Sequence, residues 1–202
     1  MTEQTTASRR GRPGHSLETL LAVAVAVFNE RGYEATSMDE LAVRAGVTKS
    51  AIYHHVPGKE ELLRLAVGRA LDGLFAVTRE PEATTGPAIG RLEHVVRGSV
   101  RVLTAELPFV TLLLRVRGNS PVEQAALGRR RDFDRVVTEL VRAAEDEGDV
   151  RPDVDPAVTS RLLFGTVNSL TEWYRPGGGL SPDSLADALV TTTFRGLRAR
   201  SS

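Results

Sequence analysis

Apolar positions along residues 37–56 follow the spacing of two short helices joined by a tight turn. Ser37 followed by Glu40 forms a capping box, which predicts where the first helix begins. Gly46 lies where the turn requires a residue that tolerates positive φ, and Thr48 can cap the second helix. The pattern therefore predicts a helix-turn-helix. Its inward-facing residues are Leu41, Ala45, Val47 and Ile52.

The outward side of the second predicted helix is polar, with groups that can bond to phosphates or to base edges. Duplex DNA is the partner that this surface favours, and an ordinary helical hairpin in an all-α domain is the alternative. His55 falls where an apolar residue usually closes the motif, so we expect Val56 to fill that place. The outward-facing residues are Lys49, Ser50, Tyr53 and His54.

Beyond this motif the pattern is helical throughout, without a credible run of period two. We predict an all-α protein of about nine helices. Residues 80–87 contain two prolines and a glycine, which predicts a loop. Apart from the helix-turn-helix, an amphipathic first helix is predicted to include residues 20–28. Further helices are predicted over about 59–78, 88–105, 108–117, 121–147, 156–174 and 182–198.

Residues 16–63 resemble the DNA-binding domain of TetR-type transcriptional repressors. The resemblance rests on FNERGY at residues 28–33, TSM at 36–38, the helix-turn-helix and YHHVPGKEEL at 53–62. It implies a three-helix DNA-binding domain over residues 15–58, followed by a ligand-binding and dimerisation domain over 59–202. It also implies a ligand-responsive repressor, in which Thr48, Lys49, Ser50, Tyr53 and His54 contact DNA and Ser37 and Lys59 grip phosphates.

Residues 1–14 are polar and carry Arg9, Arg10 and Arg12. Such a composition cannot build a core, so we expect a disordered basic arm. In one interpretation the arm follows the DNA backbone or enters the minor groove, as in other helical DNA-binding domains. In the other interpretation it is a solvated tail.

The composition fits a globular DNA-binding protein better than an enzyme. The 202 residues carry 26 basic and 26 acidic side chains, so positive charge must be localised to meet DNA, and the two lysines, Lys49 and Lys59, flank the recognition helix. No nucleophile elbow, phosphate loop or pair of histidines at metal spacing is present, and we expect no cofactor and no metal. Without cysteine, signal peptide or membrane-length apolar run, we expect a cytoplasmic location and no membrane partner.

The helix predicted over residues 156–174 is apolar or small around nearly its whole circumference, and the last helix shares this trait. Such a helix must bury a face beyond its own core. We expect a homodimer through the last two helices, which the TetR resemblance also implies, and therefore a palindromic operator. A monomeric core is the alternative.

The helices over residues 88–174 exceed what a dimer scaffold needs, and the resemblance implies that they enclose an effector pocket. Candidate lining residues are Phe109, Leu113, Phe133, Phe164 and Asn168, although aromatic residues at helical spacing more often belong to a plain core.

The segment EWYRPGGGLS at residues 172–181 resembles a TetR subgroup that senses acyl-coenzyme A thioesters. Such a ligand carries phosphates, for which planar guanidinium groups are suited. Arg97 and Arg101, four residues apart on one helix face, are the candidate phosphate ligands, and solvated surface arginines are the alternative. The rival functions are a drug- or antibiotic-sensing repressor of an efflux gene and a DNA-binding protein without an effector.

Overall fold

The structure, a computed structural model, describes residues 16–196 of the 202-residue chain. The predicted basic arm with Arg9, Arg10 and Arg12 lies outside the described residues. Two compact units are present, one that ends at Lys59 and one that begins at Glu60. Over residues 16–196 the chain forms ten α-helices and one π-helical turn and contains no strand, which confirms the all-α prediction.

The N-terminal unit contains α1 (Leu17–Arg31), α2 (Met38–Ala45) and α3 (Lys49–Tyr53). Each helix begins at a hydroxyl side chain that accepts a backbone N–H bond three residues on, and Gly46 ends α2 with a φ of 67°. Val56 is buried, as predicted from the pattern, and His55 is exposed. The three capping residues are Ser16, Ser37 and Thr48, and the largest side chains of the core are Leu20, Phe28, Leu41 and Ile52.

The second unit is built around one central helix, α6 (Ala88–Ala105), which packs against α5, α7, α8, α9 and α10. Glycines let α4 approach α6 closely: a Cβ at Gly98 would overlap the side chain of Val77, and one at Gly73 would lie 3.0 Å from Val102 Cγ1. The other elements are α4 (Lys59–Val77), α5 (Pro81–Thr84), α7 (Leu107–Arg115), α8 (Pro121–Asp146), α9 (Pro156–Trp173), α10 (Pro182–Val190) and a π-helical turn (Thr191–Arg195).

Two predictions about these elements were wrong. The predicted loop at residues 80–87 contains the one-turn helix α5, because Pro81 occupies its first turn, where a missing N–H costs nothing. The last helix was predicted to run regularly to residue 198, but α10 ends at Val190 and a π-helical turn follows. The Thr193 hydroxyl donates to the Leu189 carbonyl at 2.8 Å, a side-chain bond that competes with the regular helix. Within the described residues no helix is both long and apolar enough to span a membrane.

A buried carboxylate organises the loop between α7 and α8. Glu123 Oε2 accepts the backbone N–H groups of Arg117, Gly118 and Asn119 at 3.0, 2.7 and 3.0 Å. Burial raises the pKa of Glu123, but the three donors outweigh it and hold the pKa below its ordinary value. The ionised form of Glu123 therefore stabilises the fold.

We expect Glu123→Gln to lower the free energy of unfolding by about 2 kcal/mol, because the neutral amide is a weaker acceptor for three partly buried N–H groups. Because the pKa of Glu123 is lowered, its contribution is present above the unfolded-state pKa and is lost as the pH falls. The difference between wild type and variant in urea titrations should shrink from about pH 7 to about pH 3. Gln124→Ala, which removes a neighbouring 3.3 Å bond to the Gly118 carbonyl, is the control. An equal loss in both variants would contradict the prediction.

Candidate DNA-binding surface and effector cavity

The recognition surface consists of exposed side chains on and beside α3. Ile52 faces the core of the N-terminal unit, which turns the predicted contact residues outward. The hydroxyls of Ser37 and Thr48 accept the capping bonds of α2 and α3, and each hydroxyl proton can still be donated to a phosphate oxygen. Tyr53 is 48% exposed. The remaining exposed residues of this surface are Lys49, Ser50 and His54.

Carboxylates neutralise the positive charges of this surface. Lys49 Nζ donates to Asp39 Oδ2 at 2.9 Å, and this bond raises the pKa of Lys49. Arg44 binds Glu30 at 2.8 Å in the same way and lowers the pKa of that carboxyl. Any DNA contact by Lys49 would therefore have to replace this carboxylate. Sequence reasoning missed Asp39, although its place in the first turn of α2 was a usable signal.

Lys59 has a structural contact that the phosphate-gripping prediction did not foresee. Its ammonium group donates to the backbone carbonyls of Tyr33, Glu34 and Thr36 at 3.0, 3.2 and 3.0 Å, and it lies 4.5 Å from the centroid of the Tyr33 ring. An ammonium group has three protons, and all three are used here. Lys59 therefore ties the start of α4 to the segment between α1 and α2.

Helices α4, α6, α7, α8 and α9 surround a cavity of about 50 Å³ in the C-terminal unit. Four of the predicted effector residues line it: Leu113, Phe133, Phe164 and Asn168. The ring of Phe133 meets Phe164 edge to face, with 5.1 Å between the centroids. From α4 the cavity receives Leu71 and Leu74. Two further clefts of about 460 and 400 Å³ are lined by none of the predicted effector residues.

The other three predicted effector residues do not line this cavity. Arg97 and Arg101 pair with Asp187 and Asp183 of α10, the second pair at 2.8 Å. The prediction that Arg97 and Arg101 share one helix face is correct. That face packs against α10, whose Asp183 and Asp187 are also four residues apart. Phe109 lies 4.4 Å beneath the guanidinium of Arg69.

Two charged residues at the cavity were missed by sequence reasoning. Arg130 and Asp134 lie one turn apart on α8, and both contribute to the cavity lining. Asp134 remains open to solvent on its outer side. Burial of its inner side raises the pKa of Asp134, although Arg130 and Arg161 act in the opposite direction. Their positions beside Phe133 were the only available signal.

One group of side chains has the composition of a metal site. Ligand atoms of Glu80, Glu82 and His94 lie within 4.8 Å of one another. His94 Nε2 is already 2.6 Å from Glu80 Oε2, so a hydrogen-bonded pair that joins the start of α5 to α6 accounts for the contact.

Family models match both units. The model described as "Bacterial regulatory proteins, tetR family" matches residues 20–66, and "Tetracyclin repressor-like, C-terminal domain" matches residues 85–197, more than half of the chain. The chain belongs to the TetR family. Members of this family are transcriptional regulators that bind operator DNA as dimers, and they are not enzymes.

Three TetR-family relatives illustrate the similarity. The crystal structure of SCO3833 from Streptomyces coelicolor A3 is 56% identical, with a TM-score of 0.86 over 92% of this chain and 94% of that one. The transcriptional repressor KstR2 of Rhodococcus jostii is 28% identical over 93% of each chain. AibR, solved in complex with isovaleryl coenzyme A and operator DNA, is 26% identical, with a TM-score of 0.75 over 88% of this chain and 97% of that one.

We expect Lys49→Ala to weaken binding to the operator about tenfold more than binding to random duplex DNA, because a base contact carries sequence information and a phosphate contact does not. Fluorescence anisotropy with both duplexes at one salt concentration measures the difference. Asp39→Asn is the partner variant: it frees Lys49 and should strengthen binding to both duplexes. Equal losses on both duplexes with Lys49→Ala would show that Lys49 touches only the backbone.

We expect Lys59→Ala to destabilise the N-terminal unit by about 2 kcal/mol, since it strands three carbonyls that share one charged donor. Circular dichroism during thermal unfolding measures this loss. Lys49→Ala is the matched control, because it removes an exposed ammonium group and should leave the unfolding midpoint unchanged. If Lys59→Ala instead unfolds like the wild type and only weakens DNA binding, the phosphate-contact assignment is the correct one.

Proposed function

We propose that this TetR-family protein is a ligand-responsive repressor that binds a palindromic operator as a homodimer and is released by an acyl-coenzyme A thioester. The observation that carries the proposal is the cavity of the C-terminal unit, whose wall includes Leu71 and Leu74 of α4. Helix α4 begins at Lys59, the last residue of the N-terminal unit. One helix thus belongs both to the cavity wall and to the start of the connection to the DNA-binding unit.

DNA recognition is assigned to the exposed surface of α3. Lys49 is the proposed base contact, because it is the one lysine of the unit that is not held by backbone carbonyls. Tyr53 and His54 are proposed to contact bases or phosphates, and the capping hydroxyls of Ser37 and Thr48 are proposed to reach phosphates. Ser50 completes the proposed surface. Half-sites about 34–36 Å apart then suit two such helices in successive major grooves.

Dimerisation is assigned to α9 and α10. Val158, Leu162 and Trp173 form an exposed stripe on one side of α9, and Leu162 is 68% exposed. Gly165 lies in the same stripe with open space where a Cβ would stand, which allows close approach of a second helix. Such a stripe on a long helix supports burial against a second copy.

An acyl-coenzyme A effector suits the cavity for two reasons. Its walls are mainly apolar, as an acyl chain requires, and Arg130 supplies a guanidinium group that an anionic ligand needs and a cationic drug does not. The similarity to AibR, which was solved with isovaleryl coenzyme A and operator DNA, supports the same class.

The small size of the cavity couples ligand binding to DNA release. A cavity of about 50 Å³ is about a third of the roughly 150 Å³ of an engineered apolar cavity that binds benzene. An isovaleryl group has as many non-hydrogen atoms as benzene, so binding must separate the helices that form the walls, including α4. For a usable switch the ligand must prefer the opened state by about 100-fold, or about 2.7 kcal/mol.

The test starts from an operator selected from a random duplex library with the purified full chain. Anisotropy then follows release by isovaleryl- and decanoyl-coenzyme A, free coenzyme A, the free acids and the lipophilic cation rhodamine 6G. We expect a thioester to release the protein, and coenzyme A or a free acid to do so at least about tenfold less effectively, since each offers half of the required contacts. Release and a thermal shift with the cation alone would favour the drug-sensing alternative. No response to any compound would favour a repressor without an effector.

A further inference from the structure

Two arginines and one carboxylate lie at the edge of the cavity, where α8 and α9 meet. Arg130 and Asp134 of α8 line the cavity, and exposed Arg161 lies one turn before Phe164 of α9, which also lines it. Both arginines oppose the burial that raises the pKa of Asp134. Among the described residues neither arginine has a carboxylate within salt-bridge distance. The three groups therefore leave an excess positive charge at the edge of an apolar cavity.

This arrangement differs from that of other arginines on the same helix. Arg129, Arg135 and Arg142 of α8 each bind a carboxylate: Asp72 at 2.7 Å, Asp132 and Glu139. Arg131 also has no carboxylate partner in the described part of the chain, but it does not line the cavity. Arg130 is the arginine of α8 that combines a place in the cavity wall with an unsatisfied charge.

An unsatisfied guanidinium group beside apolar walls suits an amphipathic anion. Its planar fork binds phosphate or carboxylate oxygens through two parallel bonds. We propose that Arg130 and Arg161 form an anion subsite, opposed by Asp134, which holds the charged part of an effector while its apolar part occupies the cavity. This proposal rests on the proposed function in that it takes the cavity to be the effector site. The anion is a phosphate of a thioester or the carboxylate of a free acid.

Asp134 acts against the ligand in this arrangement. Its negative charge lies one turn from Arg130 and repels an incoming anion, while it partly neutralises both arginines. Removing the charge of Asp134 must then strengthen anion binding, whereas removing the charge of Arg130 must weaken it. The subsite therefore predicts that neutralising Arg130 and neutralising Asp134 change the affinity for an anionic ligand in opposite directions.

The experiment measures decanoyl-coenzyme A and decanoate binding to the full chain by calorimetry, together with operator release by anisotropy. We expect Arg130→Gln to weaken binding of the anionic ligand by about tenfold and Asp134→Asn to tighten it by about threefold. Arg161→Gln, at an exposed position, should weaken binding in the same direction as Arg130→Gln. The matched control is Arg135→Gln on the same helix, which should stay within about twofold of wild type, since an exposed pair contributes little.

The outcomes separate the two proposals. If decanoyl-coenzyme A releases the wild type but both Arg130→Gln and Asp134→Asn bind it as the wild type does, the anion subsite is overturned and the thioester function stands. If decanoate binds instead, with the expected dependence on Arg130, the subsite stands and the thioester function fails. If neither ligand binds to the wild type, the subsite assignment is wrong. It is also wrong for Arg161 if Arg161→Gln converts the dimer to monomers in sedimentation and leaves the ligand affinity unchanged. Unchanged thermal midpoints and operator affinities without ligand verify that the variants are folded.

Discussion

The three hydrogen bonds from the Lys59 ammonium group hold the first residue of α4 against the segment between α1 and α2, and the coupling proposed for this protein depends on that contact. The carbonyls of Tyr33, Glu34 and Thr36 belong to the segment between α1 and α2, next to the cap of the helix-turn-helix. Twelve residues further along, at about 1.5 Å per residue or about 18 Å, Leu71 of the same helix lines the cavity. A charge-assisted contact at the first residue and an apolar contact twelve residues later thus belong to the same helix.

Charge is distributed differently in the two functional regions. In the N-terminal unit Lys49 and Arg44 each hold a carboxylate, so a phosphate contact by either group would replace one anion by another and gain from the release of DNA counterions. At the cavity, Arg130 has no such partner within residues 16–196. A chain with a formal net charge of zero can therefore present an unbalanced positive group at one chosen place.

Local signals explain which parts of the structure could be predicted. The cap at Ser37, the turn at Gly46 and the cap at Thr48 act within four residues, and the structure has each of them as expected, although the Glu40 side chain of the predicted capping box pairs with Arg31. The α6 bounds were also predicted, because the sequence pattern marks both ends. Tertiary partners could not be predicted in this way: helical spacing placed Arg97 and Arg101 on one face, but it does not reveal that Asp183 and Asp187 cover that face. A lysine at position 59 likewise suits a phosphate or three carbonyls equally well, and only the fold decides between them.

The close packing of α4 on α6 limits how α4 can respond to a ligand in the cavity. At Gly98 the side chain of Val77 leaves no room even for a methyl group, so the end of α4 is held against α6. A second close approach lies at Gly73, where a Cβ would stand 3.0 Å from Val102 Cγ1. Leu71, which lines the cavity, lies six residues from Val77, about 9 Å along the helix. A ligand that parts the cavity walls under the proposed function would therefore displace α4 most easily on the N-terminal side of Gly73, within the C-terminal unit.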